Sequence, residues 1–166
     1  MELDGRGSSG LNGTTVALTG APDPAGVLGA RLGHSFRDPE RLREALTHRS
    51  FTNENPGSPD NERLALLGDA VLALVVAERL LAAAPDEPVG VLTPRRAALV
   101  SGENLARWAT ALDLGAHLRL GRGEEQMGGR AKESVLATAL EAVVGVIYLE
   151  AGLEAARATV ALLAVW

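Results

Sequence analysis

Two stretches of this sequence place carboxylates where they could act together. In "NERLALLGD", residues 61–69, Glu62 and Asp69 stand seven positions apart, two turns of an α-helix, and so share one face. Ala65 lies between them on that face, three residues after Glu62 and four before Asp69. In "ESVLATALEAVVGVIYLEAG", residues 133–152, Glu141 sits among Ala, Val, Leu and Ile. A carboxylate there is costly unless it is paired, hydrogen-bonded or metal-bound. Thr138, three residues earlier, shares its face. The chemistry these oxygens could do is to hold a metal ion, and with no cysteine in the chain any metal would need oxygen or histidine ligands. A site built on the first helix would want a third oxygen at position 65, and alanine supplies none. Each carboxylate also has a plainer reading. Asp69 could be a surface or capping residue, Glu62 a first-turn acid that favours the helix dipole, and Glu141 a buried partner of an arginine such as Arg63.

The elements that carry these residues read as helices. From Gly29 onward, "DPERLREALTHRS" offers Asp38 as N-cap and Pro39 at the first helical position, predicting a short helix that ends near His48. "FTNENPGSPD" reads as a polar loop. Ser58 or Asp60 then caps a long helix, about residues 59–84, apolar enough after Gly68 to be buried on most sides. Thr93-Pro94 repeats the cap-then-proline signature and opens a helix through "RRAALVSGENLARWATALDL", with a break at Ser101-Gly102 and Gly115 as C-cap. "HLRLGRGEEQMGGR" reads as an exposed loop. Two helices follow, about 131–150 and 153–165, separated by Ala151-Gly152. With no strand pattern and no internal repeat, the fold class is all-α. Residues 1–30, rich in Gly, Ser, Thr and Pro, read as a disordered arm, which leaves 31–166 as one domain.

Composition narrows the possibilities further. The chain of 166 residues suits one domain with a substantial core. Aromatics are only 3%, so that core is made of Ala, Leu and Val. There is no cysteine, which excludes disulfides and thiolate metal sites. No continuous apolar run of the roughly 20 residues that span a bilayer is apparent, and the N-terminus lacks a basic stretch followed by an apolar one. The expectation is a cytoplasmic protein with no membrane partner and no small-molecule cofactor. A net charge of −5 argues against holding nucleic acid by bulk electrostatics alone. Charge is nonetheless locally basic: residues 117–132 carry Arg119, Arg122, Arg130 and Lys132 against Glu124 and Glu125, a balance of +2.

The two acidic stretches closely resemble the signature of the ribonuclease III family, whose usual forms are NERLEFLGD and SILADTxEAxIGAxYLD. "ALTHRS" at 45–50, "LRLGRGEE" at 118–125 and "GGRAKES" at 128–134 resemble the same family in the same order. The resemblance covers about residues 32–165 and implies an all-helical endonuclease domain that forms a homodimer. Its two active sites would lie at opposite ends of a valley for double-stranded RNA, and its products would be short duplexes with two-nucleotide 3′ overhangs. It implies Mg²⁺ or Mn²⁺ held by acidic side chains, with Asp69 and Glu141 as direct ligands and Glu62 at the periphery of the site and the dimer. The other usual acids fall on Ala65, Thr138 and Val89, so the cation is expected to bind weakly. Arg95, Arg96, Arg122, Arg130 and Lys132 are expected to contact RNA across the minor groove, or else to be solvated surface charge. Glycines 121, 123, 128 and 129 would let their loop approach a phosphate backbone.

His48 is expected to be a hydrogen-bonded anchor and Phe51 a packing residue. Gly68 and Gly145 are expected to allow close helix approach. Bacterial members commonly carry a double-stranded-RNA-binding domain after the nuclease domain. None is expected in this sequence, so affinity should be weak and salt-sensitive. The competing expectation is an inactive protein of the same fold that binds structured RNA or joins a ribonucleoprotein.

Overall fold

The computed structural model describes residues 23–164 and, among them, is helical throughout, with one isolated bridge between Thr47 and Arg119. Eight α-helices follow in order: α1 Pro24–Leu32, α2 Pro39–Ala45, α3 Arg49–Glu54, α4 Glu62–Ala83, α5 Val89–Leu99, α6 Gly102–Ala111, α7 Arg122–Gln126 and α8 Glu133–Leu163.

The centre of the fold is α4 lying along α8, with α6 packed on the other side of α8. On α4 the buried residues are Leu64, Ala65, Gly68, Val71, Leu72, Val75, Val76 and Leu80, the three- and four-residue spacing of one helical face. α8 buries nearly every residue from Val135 to Ile147 except Thr138 and Glu141. By length and a hydropathy of 1.7, α8 could cross a membrane, but most of that stretch is buried inside this domain. Gly152, at φ 76° and ψ −171°, breaks α8 where the sequence placed the boundary between two helices. Arg157, beyond the kink, ties back to Glu78 of α4 at 2.9 and 2.7 Å.

Several local expectations need correction. Residues 24–30, assigned to the arm, form most of α1, whose Leu28 and Leu32 are fully buried; residues 1–22 lie outside the described residues. Asp23 caps α1 and Pro24 opens it, the same signature that Asp38-Pro39 supplies at α2. The "polar loop" after His48 contains α3, because His48 supplies its cap. α4 begins at Glu62 behind Asn61, and neither Ser58 nor Asp60 is its N-cap. α5 starts at Val89 behind Pro88, which leaves Pro94 inside the helix. The carbonyl that Pro94 cannot satisfy is that of exposed Gly90, so the loss is small. The segment 114–131 is a series of short turns and α7 rather than an open loop, and Gly115 lies in a 3₁₀ turn while Leu112 ends α6. Finally, α4 is not buried on most sides: Leu66, Leu74 and Leu81 are 77%, 47% and 61% exposed.

Candidate active site

Glycine sets the distance between the two acidic helices. A Cβ on Gly68 would stand 1.7 Å from the carbonyl oxygen of Glu141, and one on Gly145 would stand 2.5 Å from that of Leu64. The helices therefore pass antiparallel at backbone contact, as the two glycines were expected to allow. Asp69 follows Gly68 directly, so this contact brings its carboxylate near enough to that of Glu141 for the two to repel.

Glu141 is half-buried and has no cationic partner among the described residues, so the expected alternative of an ion pair with Arg63 does not occur. Burial in the apolar wall, and secondarily repulsion from Asp69, raises its pKa to about 7. Asp69 is exposed. Thr138, part-buried one turn before Glu141, has a hydroxyl with no hydrogen-bond partner among the described residues. By contrast, Thr47, Thr52, Thr110 and Thr159 each donate theirs to a main-chain carbonyl. Ala65 is 5% exposed and turns only a methyl group toward the core. Glu62 is not part of the pair. It lies two turns up α4, roughly 10 Å along the axis, and is bound to Arg49 at 3.0 Å.

The donor set is all oxygen: two carboxylates and a hydroxyl. That suits Mg²⁺ or Mn²⁺ in chemistry but not in number, since no group of three His, Cys, Asp or Glu able to hold a metal occurs among the described residues. Magnesium bound through one or two carboxylates completes its shell with waters and substrate phosphate. The residues present fit a cation in that restricted sense.

The chain segments around the N-terminus of α4 are laced together. His48 N–H donates to the Arg119 carbonyl (3.0 Å), Arg119 N–H to that of Leu46 (2.8 Å), and Asn61 N–H to that of Thr47 (2.9 Å). His48 anchors locally through Ser50, as expected, and the Ser50 hydroxyl accepts the Gly121 amide at 2.9 Å. The Arg119 guanidinium lies 4.1 Å over the Phe51 ring and donates to the Thr47 hydroxyl. Arg119 was legible only as one charge in a basic segment; its role in joining the "ALTHRS" and "LRLG" segments was not.

The expected RNA contacts divide into two groups. Arg130 donates to the carbonyls of Gly115 and Leu118, both at 2.9 Å, and pairs with Glu125 at 2.7 Å. Lys132 pairs with Glu124 at 3.2 Å. Arg95, Arg96 and Arg122 are exposed, with no ion pair among the described residues.

A family profile described as Ribonuclease-III-like matches residues 38–164. The chain is 52% identical over 139 residues to Ribonuclease 3 of Heliobacterium modesticaldum, covering 82% of this chain and 59% of that protein. It is 49% identical to Ribonuclease 3 of Alkalilimnicola ehrlichii, covering 84% of this chain and 59% of that one. Among solved structures, the nuclease domain of ribonuclease III from Campylobacter jejuni superposes with a TM-score of 0.76 at 45% identity, over 82% of this chain and 92% of that one. That structure was described for flexibility in a region involved in dimer formation. The chain thus spans about three fifths of the length of these two curated relatives.

Proposed function

This chain belongs to the ribonuclease III family, and from that membership we propose that it is a divalent-metal-dependent endonuclease that hydrolyses phosphodiesters of double-stranded RNA. The observation that carries the site assignment is the Asp69–Glu141 pair: two carboxylates brought together from separate helices, one of them held in an apolar wall with no cation to offset it among the described residues. A structural role for Glu141 would call for a partner.

Asp69 and Glu141 would hold Mg²⁺ or Mn²⁺, with the Thr138 hydroxyl adjacent. When bound, such an ion supplies an activated water for attack on phosphorus and offsets the charge on the departing oxygen. The chain's own part is positional. The Gly68–Glu141 backbone contact fixes both carboxylates on rigid helices, and the apolar wall around Glu141 strengthens its attraction for a cation by limiting competing water. Arg95, Arg96 and Arg122 would meet RNA phosphates, recognising the duplex by shape more than by sequence. Arg130 and Lys132 act chiefly by holding the 114–132 segment in place. The exposed apolar face of Leu66, Leu74 and Leu81 suits burial against a second copy of the chain in a homodimer.

Ala65, Val89 and Thr138 stand where the family resemblance leads one to expect acids. The cation is therefore held weakly. The same three residues support a second reading, in which the fold binds structured RNA without cutting it.

Cleavage of a long labelled RNA duplex across Mg²⁺ and Mn²⁺ concentrations separates the two. Products that appear with wild type and vanish with Asp69→Asn and with Glu141→Gln support the enzyme. Duplex binding without cleavage at high Mn²⁺ supports the second reading.

A further inference from the structure

We propose that the Asp69–Glu141–Thr138 site takes up its divalent cation only together with a phosphodiester of the duplex, so that cation and RNA bind as a thermodynamically coupled pair. This rests on the duplex-binding reading above and adds to it the state in which the cation is held.

The coordination count leads to this. The protein offers two carboxylates and one hydroxyl, and no third His, Cys, Asp or Glu is near enough to contribute among the described residues. Magnesium takes six oxygens, so at least half of its shell must come from water or substrate. Position 65, on the face of α4 that bears Asp69, holds a buried methyl, and no side chain there can close the gap. Thr138 is placed to contribute, since its hydroxyl is not spent on the helix backbone, but it brings no charge. A phosphate oxygen brings both a ligand and a negative charge, and Asp69 is exposed, leaving the cation open to a ligand from outside. A cation that bridges protein and phosphate raises the affinity of each for the other by the same factor.

The sign of the effect distinguishes this from ordinary electrostatics. Where a protein meets RNA only through basic side chains, added Mg²⁺ competes for phosphates and weakens binding. Under the coupled scheme, added Mg²⁺ strengthens it.

Two titrations test the proposal. Mn²⁺ alone is titrated into the free protein, with unbound Mn²⁺ followed by electron paramagnetic resonance. A short labelled RNA duplex is then titrated with protein in EDTA and in millimolar Mg²⁺, by anisotropy, under conditions where gels show the duplex intact. Expected are no submillimolar Mn²⁺ uptake by the free protein and a rise of about tenfold or more in duplex affinity with Mg²⁺. That rise should be lost in Asp69→Asn and reduced in Thr138→Val. Inorganic phosphate in place of duplex should promote far less Mn²⁺ uptake, since it lacks the arginine contacts. Thr138→Asp, which adds the missing charge, should bind Mn²⁺ without RNA and show weaker coupling. Tight Mn²⁺ binding by the free wild type, or duplex affinity that Mg²⁺ leaves unchanged or lowers, overturns the coupling and leaves duplex binding standing. Failure to bind duplex under any condition overturns the reading beneath it as well.

Discussion

Gly68 of α4 and the carbonyl of Glu141 on α8 are in such close contact that the missing side chain is itself a structural element: a Cβ would lie 1.7 Å from the carbonyl oxygen. Backbone cannot yield as a side-chain tip can, so Gly68→Ala must push the two central helices apart. Overpacking commonly costs 1–3 kcal/mol, and rigid backbone puts this case at the upper end, about 3 kcal/mol or more. The check is chemical denaturation beside Gly123→Ala, where a Cβ would meet nothing within 4 Å. Comparable stability of the two variants would contradict the contact.

Glu141 gives a pH signature. Its folded pKa is raised from 4.5 to about 7, by burial first and by Asp69 second. The sign follows: the neutral form is the one the fold favours, so its contribution is fully present below about pH 4.5 and is lost as pH rises through about 7. Glu141→Gln keeps the shape and cannot ionise. In EDTA, the variant should match wild type near pH 4 and exceed it above pH 7 by about 1–2 kcal/mol, less than the full shift would give because solvent screens a half-buried group. A difference that is flat with pH, by urea titration across that range, would mean that Glu141 is freely solvated.

Glu150 behaves in the opposite way. Its side chain is 4% exposed, accepts from His34 Nε2 at 2.7 Å, and accepts the amides of Arg37 and Asp38 at the start of α2. Burial pushes its pKa up, but the hydrogen bonds from His34, Asp38 and Arg37 outweigh it and hold the carboxyl below the usual range. Its contribution is therefore present above about pH 4.5 and fades as pH falls through the folded value. Glu150→Ala strands these donors and should cost about 2–3 kcal/mol at neutral pH. That loss should shrink on acidification, measured as the wild-type minus variant difference.

Much of the fold was legible because its signals are local. Asp38-Pro39 marked the start of α2, Ala151-Gly152 marked the kink in α8, and the acidic stretches announced α4 and α8. The misses came from tertiary effects. α1 hid inside a Gly- and Pro-rich stretch because two leucines, Leu28 and Leu32, suffice to dock it. α5 starts early because the solvent-facing carbonyl of Gly90 makes Pro94 tolerable inside it. At the site, sequence spacing placed Glu62 on the face of Asp69, yet only the crossing with α8 decides which acids meet. That crossing selects Asp69 with Glu141, while Glu62 pairs with Arg49.

The basic residues should separate cleanly by experiment, because their contacts differ. Arg95 and Arg96 are exposed and without ion pairs among the described residues. Each substitution to Ala should leave the unfolding midpoint unchanged, weaken duplex binding similarly across RNA sequences, and lower the slope of log affinity against log salt by about 1. Arg130→Ala removes donors to two carbonyls and the Glu125 pair, and should cost about 2 kcal/mol of stability. Its salt slope should change less than that of either arginine on α5, because Glu125 already offsets its charge. Anisotropy titrations at several salt concentrations, set beside thermal melts, read both quantities on the same proteins. A stable Arg130→Ala with a slope reduced by a full unit would place Arg130 on the RNA, and would make its carbonyl contacts incidental.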